Sequence, residues 1–197
     1  VPPQMVPPLR IATCNIRNGR AFDGLNSWPF RRHRLVDYLS ALDADILGLQ
    51  EAYAFQLRTV AQSLKHYEAV GIGRNARCRG EHVPILIRRD RFEIIADHTR
   101  WLSGTPDVAG SRMPGARFPR IATIAELRDL AGEQRFVVVN THLDESSAIR
   151  RQACADLIAA WTANVQSPIL IGDLNATINE PELDPLLAAG FRDACPV

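Results

Sequence analysis

Four short apolar runs in this 197-residue chain end in the same way, and that shared ending constrains the fold more than any other feature. R-I-A-T-C runs into Asn15, D-I-L-G-L into Gln50 and Glu51, F-V-V-V into Asn140, His142 and Asp144, and I-L-I-G into Asp173 and Asn175. Runs of this length bounded by polar residues read as buried strands. Nothing about a buried strand requires a carboxylate or a carboxamide at its end. A rigid sheet, however, delivers side chains from distant sequence positions to one edge, and ligands collect at such a rim.

The segments between the runs supply the remaining elements. Residues 9–15 alternate as a strand and end in the N-x-x-N-G turn signal at 15–19. Residues 31–44 place Leu35, Tyr38, Leu39 and Leu42 on one helical face, and 45–49 follow as a strand. Phe55, Leu57, Val60, Ala61 and Leu64 mark a second helix, and 67–73, 83–88 and 92–96 read as short strands. Gly and Pro at 104, 106, 110, 114, 115 and 119 make 99–119 a long irregular loop. Residues 121–127 and 135–139 flank an A-G-E-Q turn, 149–164 form a helix and 169–172 a last strand. Asn179 is expected to cap a final helix, with Pro181 just inside it and Gly190 at its end. With no internal repeat and no linker, the chain reads as a proline-rich lead over 1–8 and a single α/β domain over 9–197.

Composition narrows the partners. Lys plus Arg number 23 and Asp plus Glu 22, so the net charge of +1 offers no overall field for a polyanion, and any nucleic-acid contact must be local. Cys14, Cys78, Cys154 and Cys195 lie far apart with no C-x-x-C spacing, which signals plain thiols rather than a disulfide scaffold or a zinc knuckle. No apolar run approaches the ~18 residues of a membrane span, and the lead does not have the form of a signal peptide. The compartment stays open between cytoplasmic and secreted.

Glu51, Asp173 and the carboxamides are hard oxygen ligands; without a His/Cys cluster they favour Mg²⁺ or Mn²⁺ over zinc. A metal that neutralises phosphate charge, beside a histidine that donates to a nonbridging oxygen, forms a phosphoester toolkit. Taken singly, each residue has a plainer reading. Asp173 with Asn175 fits an Asx turn, and His142 fits a structural histidine.

The segments T-C-N-I-R-N-G, G-L-Q-E, W-L-S-x-T-P, P-R-I-A-T, V-N-T-H-L-D and G-D-L-N-A-T change that weighting. They occur in the order seen in the endonuclease/exonuclease/phosphatase superfamily, which the chain resembles from about Leu9 to Asp193, most of all its small bacterial members with a W-L-S segment. The resemblance implies a DNase I-like four-layer α/β/β/α sandwich with its site at one rim between the sheets. It also implies Mg²⁺-dependent hydrolysis of a phosphodiester or phosphomonoester by in-line attack of water. It makes Glu51 the main metal ligand, Asn15 and Asp173 neighbours of metal and phosphate, and His142 the stabiliser of pentacovalent phosphorus. Asp173 and Asn175 would orient the water. Asn140 and Arg120 would face the phosphate, and Glu81 would brace His142 there. The substrate class, whether nucleic acid, inositol phosphate or lipid headgroup, is left to loops such as 99–119 with Arg100, Arg112 and Arg117.

One segment of the pattern is absent. Relatives end in a strand carrying S-D-H, whose Asp and His form a water-activating pair, and no S-D-H occurs in this sequence. The resemblance therefore implies a sandwich without its last strands, weak or no turnover by the chain as given, and self-association covering an open sheet edge. Two explanations compete for the missing segment: the sequence is a portion of a longer enzyme, or it is a catalytically silent module that captures metal or phosphate.

Overall fold

A computed structural model describes residues 8–194 of the chain. Cys195 and nearly all of the lead expected over 1–8 lie outside the described residues. In chain order the elements are β1 (Ile11–Asn15), α1 (Trp28–Leu42), β2 (Ile46–Gln50), β3 (Ala52–Tyr53), α2 (Ala54–Ser63), β4 (Tyr67–Val70), β5 (Gly73–Asn75), β6 (Arg79–His82), β7 (Ile85–Arg88), β8 (Phe92–Trp101), β9 (Ile121–Asp129), β10 (Arg135–His142), α3 (Ala148–Thr162), β11 (Ile169–Asp173) and α4 (Asp184–Ala188). One sheet has the order β1-β2-β7-β4, a second β11-β10-β9-β8, and a small third β3-β6-β5.

The two large sheets stack face to face with helices outside both, which gives the α/β/β/α sandwich. Strand periodicity explains the layers. In β2, Leu47 and Leu49 turn outward to meet Leu39 of α1 and Val60 of α2, whereas Ile46 turns inward. Ile46, Ile85 and Ile87 there meet Phe92, Leu127 and Val138 from the second sheet. On the far side, Ile124 and Val139 pack beneath Cys154 and Ile158 of α3 and Leu186 of α4. Both central strands are thus covered on two faces, as their unbroken apolar runs require.

The inward row of the second sheet is not wholly apolar. Asn140, fully buried on β10, donates through Nδ2 to Leu49 O at 2.9 Å and to Pro84 O at 2.7 Å, and its Oδ1 accepts from Gln50 Nε2 at 2.8 Å. One carboxamide therefore bonds across the sandwich with every arm satisfied. Room for it comes from Gly48: a Cβ there would sit 2.5 Å from Ile171 Cδ1 and 3.0 Å from Asn140 Cγ.

Several boundaries differ from the sequence reading. The strand expected over 67–73 stops at Val70, because Gly71 turns the chain at φ 111. β8 continues to Trp101, paired with Ile121, so the long loop begins later than 99. β10 reaches His142, five residues from the Ser147 that caps α3. The final helix is split into a 3₁₀ turn (Pro181–Leu183) and α4, with Glu180 rather than Asn179 at the cap position; Pro185, which lacks an N–H, restarts it. Cys154 is buried as expected of a thiol, but Cys78 is exposed. β1 and β11 are the outer strands of their sheets, and an open groove of about 910 Å³ runs along them past Ile11, Ile171, Leu187 and Phe191 to Asn15 and Asp173.

Asn140→Leu keeps the volume but leaves two buried carbonyls without a donor and the Gln50 amide without its acceptor. Chemical denaturation is expected to show a loss of roughly 3 kcal/mol or more. A variant within about 1 kcal/mol of wild type would show the tie to be dispensable.

Candidate active site

Parallel pairing assembles the rim. β1 and β2 are parallel with Asn15 opposite Gln50, and β10 and β11 are parallel with His142 opposite Asp173. The carboxyl ends of two strand pairs, one from each sheet, therefore meet at one end of the sandwich. Glu51 follows directly on β2 in the left-handed region, at φ 60. That backbone costs a non-glycine residue about 1 kcal/mol or more and persists where the surroundings fix it.

Those surroundings are hydrogen bonds. Asn15 Nδ2 donates to Glu51 Oε1 at 2.9 Å and to Asp173 Oδ2 at 2.9 Å, so one amide nitrogen bridges two carboxylates from different sheets. Glu51 Oε2 accepts from Asn18 N at 2.8 Å, and Asn15 Oδ1 accepts from Arg17 N at 2.9 Å. Burial pushes the Glu51 carboxyl up, but the Asn15 and Asn18 donors, with His142 and Arg17 beyond them, outweigh it and leave Glu51 below the usual carboxylate range. It is ionised at neutral pH.

His142 is buried with Nε2 3.8 Å from Asp173 Oδ2, near but beyond hydrogen-bond reach. Burial and the neighbouring Arg120 guanidinium lower its pKa against the pull of Asp173 and Glu51, so the ring is neutral at pH 7. Asn175, at φ 50, donates its backbone N–H to Asp173 Oδ1 at 3.1 Å and its side-chain Nδ2 to Leu143 O at 3.0 Å. It fixes the Asp173 carboxylate and ties β11 to the end of β10.

Arg120 lies at the same rim with its side chain 7% exposed. Its Nη1 donates to His142 O at 3.4 Å, its Nη2 lies 3.8 Å from Glu145, and its Nε has no partner among the described residues. Glu81 is placed differently from the sequence expectation. Its Oε2 lies 2.7 Å from Arg74 Nη1, and His142 comes within ion-pair distance of Asp173 alone among the acidic residues. Burial raises the Glu81 pKa while Arg74 opposes the rise. Asn140, expected to face phosphate, is sealed behind the rim in the bonds described above. Of the arginines expected in the long loop, Arg100 stands on β8, pairs with Asp107 at 3.4 Å and stacks on Trp161, whereas Arg112 bonds Arg117 O and Arg117 lies over Phe118 within the loop.

Sequence reading missed two supports. Arg74 on β5 is a buried cation beside Glu81 whose Nε also has no partner. Gln56, fully buried on the apolar face of α2, accepts from Gly19 N at 2.8 Å and donates to Arg17 O at 3.0 Å, anchoring the loop that reaches Glu51. Its signal was a glutamine among apolar positions of an amphipathic helix.

This architecture is shared with known proteins. The profile of the Endonuclease/Exonuclease/phosphatase family matches residues 12–196, and the chain belongs to that family. Its fold is accordingly that of enzymes that hydrolyse phosphoester bonds. An endonuclease/exonuclease/phosphatase from Bacteroides vulgatus is similar at 31% identity and TM-score 0.86, over 91% of this chain and 70% of that one. A mannosyl-6-phosphatase of Bacteroides thetaiotaomicron is similar at 29% identity and TM-score 0.86, over 93% and 71%. A conserved protein of unknown function from Enterococcus faecalis gives 28% and 0.87, over 94% and 73%. No curated protein matches the chain.

Past His142 the chain is pinned to α3 by Asp144. Its Oδ1 accepts from Ser146 N at 2.8 Å and its Oδ2 from Arg150 Nε at 2.9 Å. Burial pushes this carboxyl up, but the Arg150 and Ser146 donors outweigh it and hold the pKa down to about 2. A depressed pKa adds stability above the unfolded value near 4, and that stability is lost as pH falls toward 2; for a shift of this size it is roughly 2 kcal/mol. Urea unfolding of Asp144→Asn should therefore show about that loss at pH 7, with the gap to wild type closing between pH 4 and pH 2. A gap that stays constant over this window would remove the ionic account.

Proposed function

We propose that the chain hydrolyses a phosphate ester by in-line attack of water with Mg²⁺, or Mn²⁺ in its place, at the rim between the two sheets. One observation carries the reading: Asn15 Nδ2 stands 2.9 Å from carboxylates of both Glu51 and Asp173, with His142 beside them, so four strand ends converge on one point.

The donor set fits such a cation. Among the described residues no group of three His, Cys, Asp or Glu forms a closed metal cage. Hydrated Mg²⁺ asks for less, one or two carboxylates and otherwise water and phosphate oxygens. Glu51, Asp173 and the Asn15 carboxamide would hold it. Once bound, it supplies charge neutralisation on the phosphate and on the leaving oxygen. The chain's own groups do the rest. Neutral His142 donates to a nonbridging oxygen as charge grows there, and the buried Arg120 guanidinium supplies donors to another. Asn175 keeps Asp173 oriented toward the water. A buried cation with no acid at hydrogen-bond distance suits the dianion of a phosphomonoester, and the likeness to a mannosyl-6-phosphatase supports the same choice over a diester. Self-association has its place along the edges of β1 and β11, and light scattering at several concentrations reads it directly.

Two measurements test this. Millimolar-range Mg²⁺ should raise the melting temperature, since a ligand at about a hundred times its Kd adds roughly 2.7 kcal/mol, and Glu51→Gln should abolish most of the rise. With 4-nitrophenyl phosphate as substrate, His142→Gln should lower kcat by about 10² or more with little effect on the Mg²⁺ shift. Unchanged melting in Mg²⁺ and no metal-dependent hydrolysis of either mono- or diester would sink the enzyme reading. A Mg²⁺ shift without hydrolysis would instead favour the silent binding module.

A further inference from the structure

The loop that touches Glu51 continues into three strongly exposed apolar side chains. Phe22 is 95% exposed, Leu25 83% and Phe30 64%. They stand on one compact knob. Arg17 forks onto Asp23 through Nε and Nη2, both at 3.1 Å, Asp23 N donates to Ser27 Oγ at 3.0 Å, Ser27 N bonds Gly24 O and Phe30 N bonds Ser27 O. The knob is therefore hydrogen-bonded within itself while its apolar side chains face water. Trp28, the one aromatic residue it buries, packs edge-on against Phe55 of α2 and anchors it.

The charge around this knob is predominantly positive. Residues 17–38 hold five arginines and two aspartates in a chain of net charge +1. Arg17 is neutralised by Asp23, and Arg31 is spent on Arg17 O and the face of Trp28. Among the described residues Arg20, Arg32 and Arg34 have no acidic partner; Arg20 lies over the Tyr53 ring, and Arg34 stands one helical turn from Phe30 on the exposed side of α1.

We propose that this knob docks the protein on an anionic lipid surface. Exposed phenylalanine and leucine rimmed by arginine form the pattern that enters the boundary between headgroups and acyl chains while cations remain at the phosphates. The shape argues against a single nucleic-acid strand, which calls for a basic groove with rings to stack on. Phe22 and Leu25 instead project from a turn, and Leu25 has no π-face. Because Asn18 N, at the base of the same loop, donates to Glu51 Oε2, docking sets the mouth of the site against the headgroups. The inference concerns attachment alone and holds whether or not the site proves hydrolytic.

The test is co-sedimentation of the full chain with vesicles of phosphatidylcholine containing about 30% phosphatidylglycerol, beside vesicles of phosphatidylcholine alone. Binding to the anionic vesicles is expected, weakened by salt and much weaker on neutral ones. The triple variant Phe22→Ser, Leu25→Ser, Phe30→Ser should lower partitioning by at least about tenfold. Arg20→Gln, Arg32→Gln and Arg34→Gln should each cost up to about fivefold on anionic vesicles only. The melting temperature of each variant, expected to match wild type because these side chains bury little, separates lost docking from lost folding. Absence of sedimentation with either vesicle, or binding that survives the triple variant, overturns the proposal. So does a knob-dependent affinity for oligothymidylate of about 20 nucleotides without vesicle binding, which would make the surface a nucleic-acid contact.

Discussion

The carboxamide of Asn140 is the interaction on which the rest of this structure depends. Between the rim and the far end the two sheets meet mostly through apolar side chains, and apolar contact resists sliding weakly because it has no direction. Three hydrogen bonds on one side chain, two donated to Leu49 O and Pro84 O and one accepted from Gln50 Nε2, fix the end of β2 against β10 and leave no polar atom of that amide unpaired. Since β1 is in parallel register with β2, and β11 with β10, this bond also fixes where Asn15 stands relative to Asp173. The rim is precise because the tie lies two residues below it, and Gly48 is the clearance that lets the tie form.

A second consequence is electrostatic. Bringing Glu51 and Asp173 to one point opposes two like charges, and a buried pair of that kind ordinarily keeps one proton. Asn15 relieves the repulsion by offering each carboxylate a proton from the same nitrogen, so Glu51 stays ionised although half-buried. The left-handed backbone at Glu51 belongs to the same arrangement: it turns the chain off β2 so that Oε2 meets the Asn18 amide while Oε1 meets Asn15. Strain and charge are held together by the 15–19 loop, which the buried Gln56 pins from below.

The parts of this design that the sequence made legible are those with a local cause. Apolar runs ending in carboxylates and carboxamides mark strands and their rim, because the polar residue interrupts a pattern set by burial. What escaped was set by neighbours distant in the chain. Asn140 carries the same polar signature as His142, two residues on, and nothing local tells which of the two faces the opposite sheet and which lines the open end. Glu81 was assigned to His142, but β6 and β5 are adjacent strands of the small sheet, and Arg74 across that ladder claims the carboxylate first. β3 and β6 themselves were invisible, since A-Y is too short and R-G-E-H too polar to show an alternating pattern. β8 outran its expected end because its pairing with β9 continues through Thr99 and Arg100, residues that a local reading gives to a loop.

The balance of buried charge supplies the last step. Arg74 is compensated by Glu81, and Asp144 by Arg150. Arg120 is the exception at this rim: its side chain is nearly sealed, it donates one long bond to a carbonyl, and its nearest carboxylate, on the exposed Glu145, lies 3.8 Å away. A desolvated cation without a close anion costs several kcal/mol unless something else offsets it. Together with burial, the same guanidinium lowers the pKa of His142, so its cost is coupled to the protonation state of that histidine. A phosphate reaching Arg120 would neutralise the guanidinium and so ease its depression of His142. Under the proposed function, binding energy from the ester's charge would be spent where the proton is needed, and the rim would be organised around an anion rather than around its own packing.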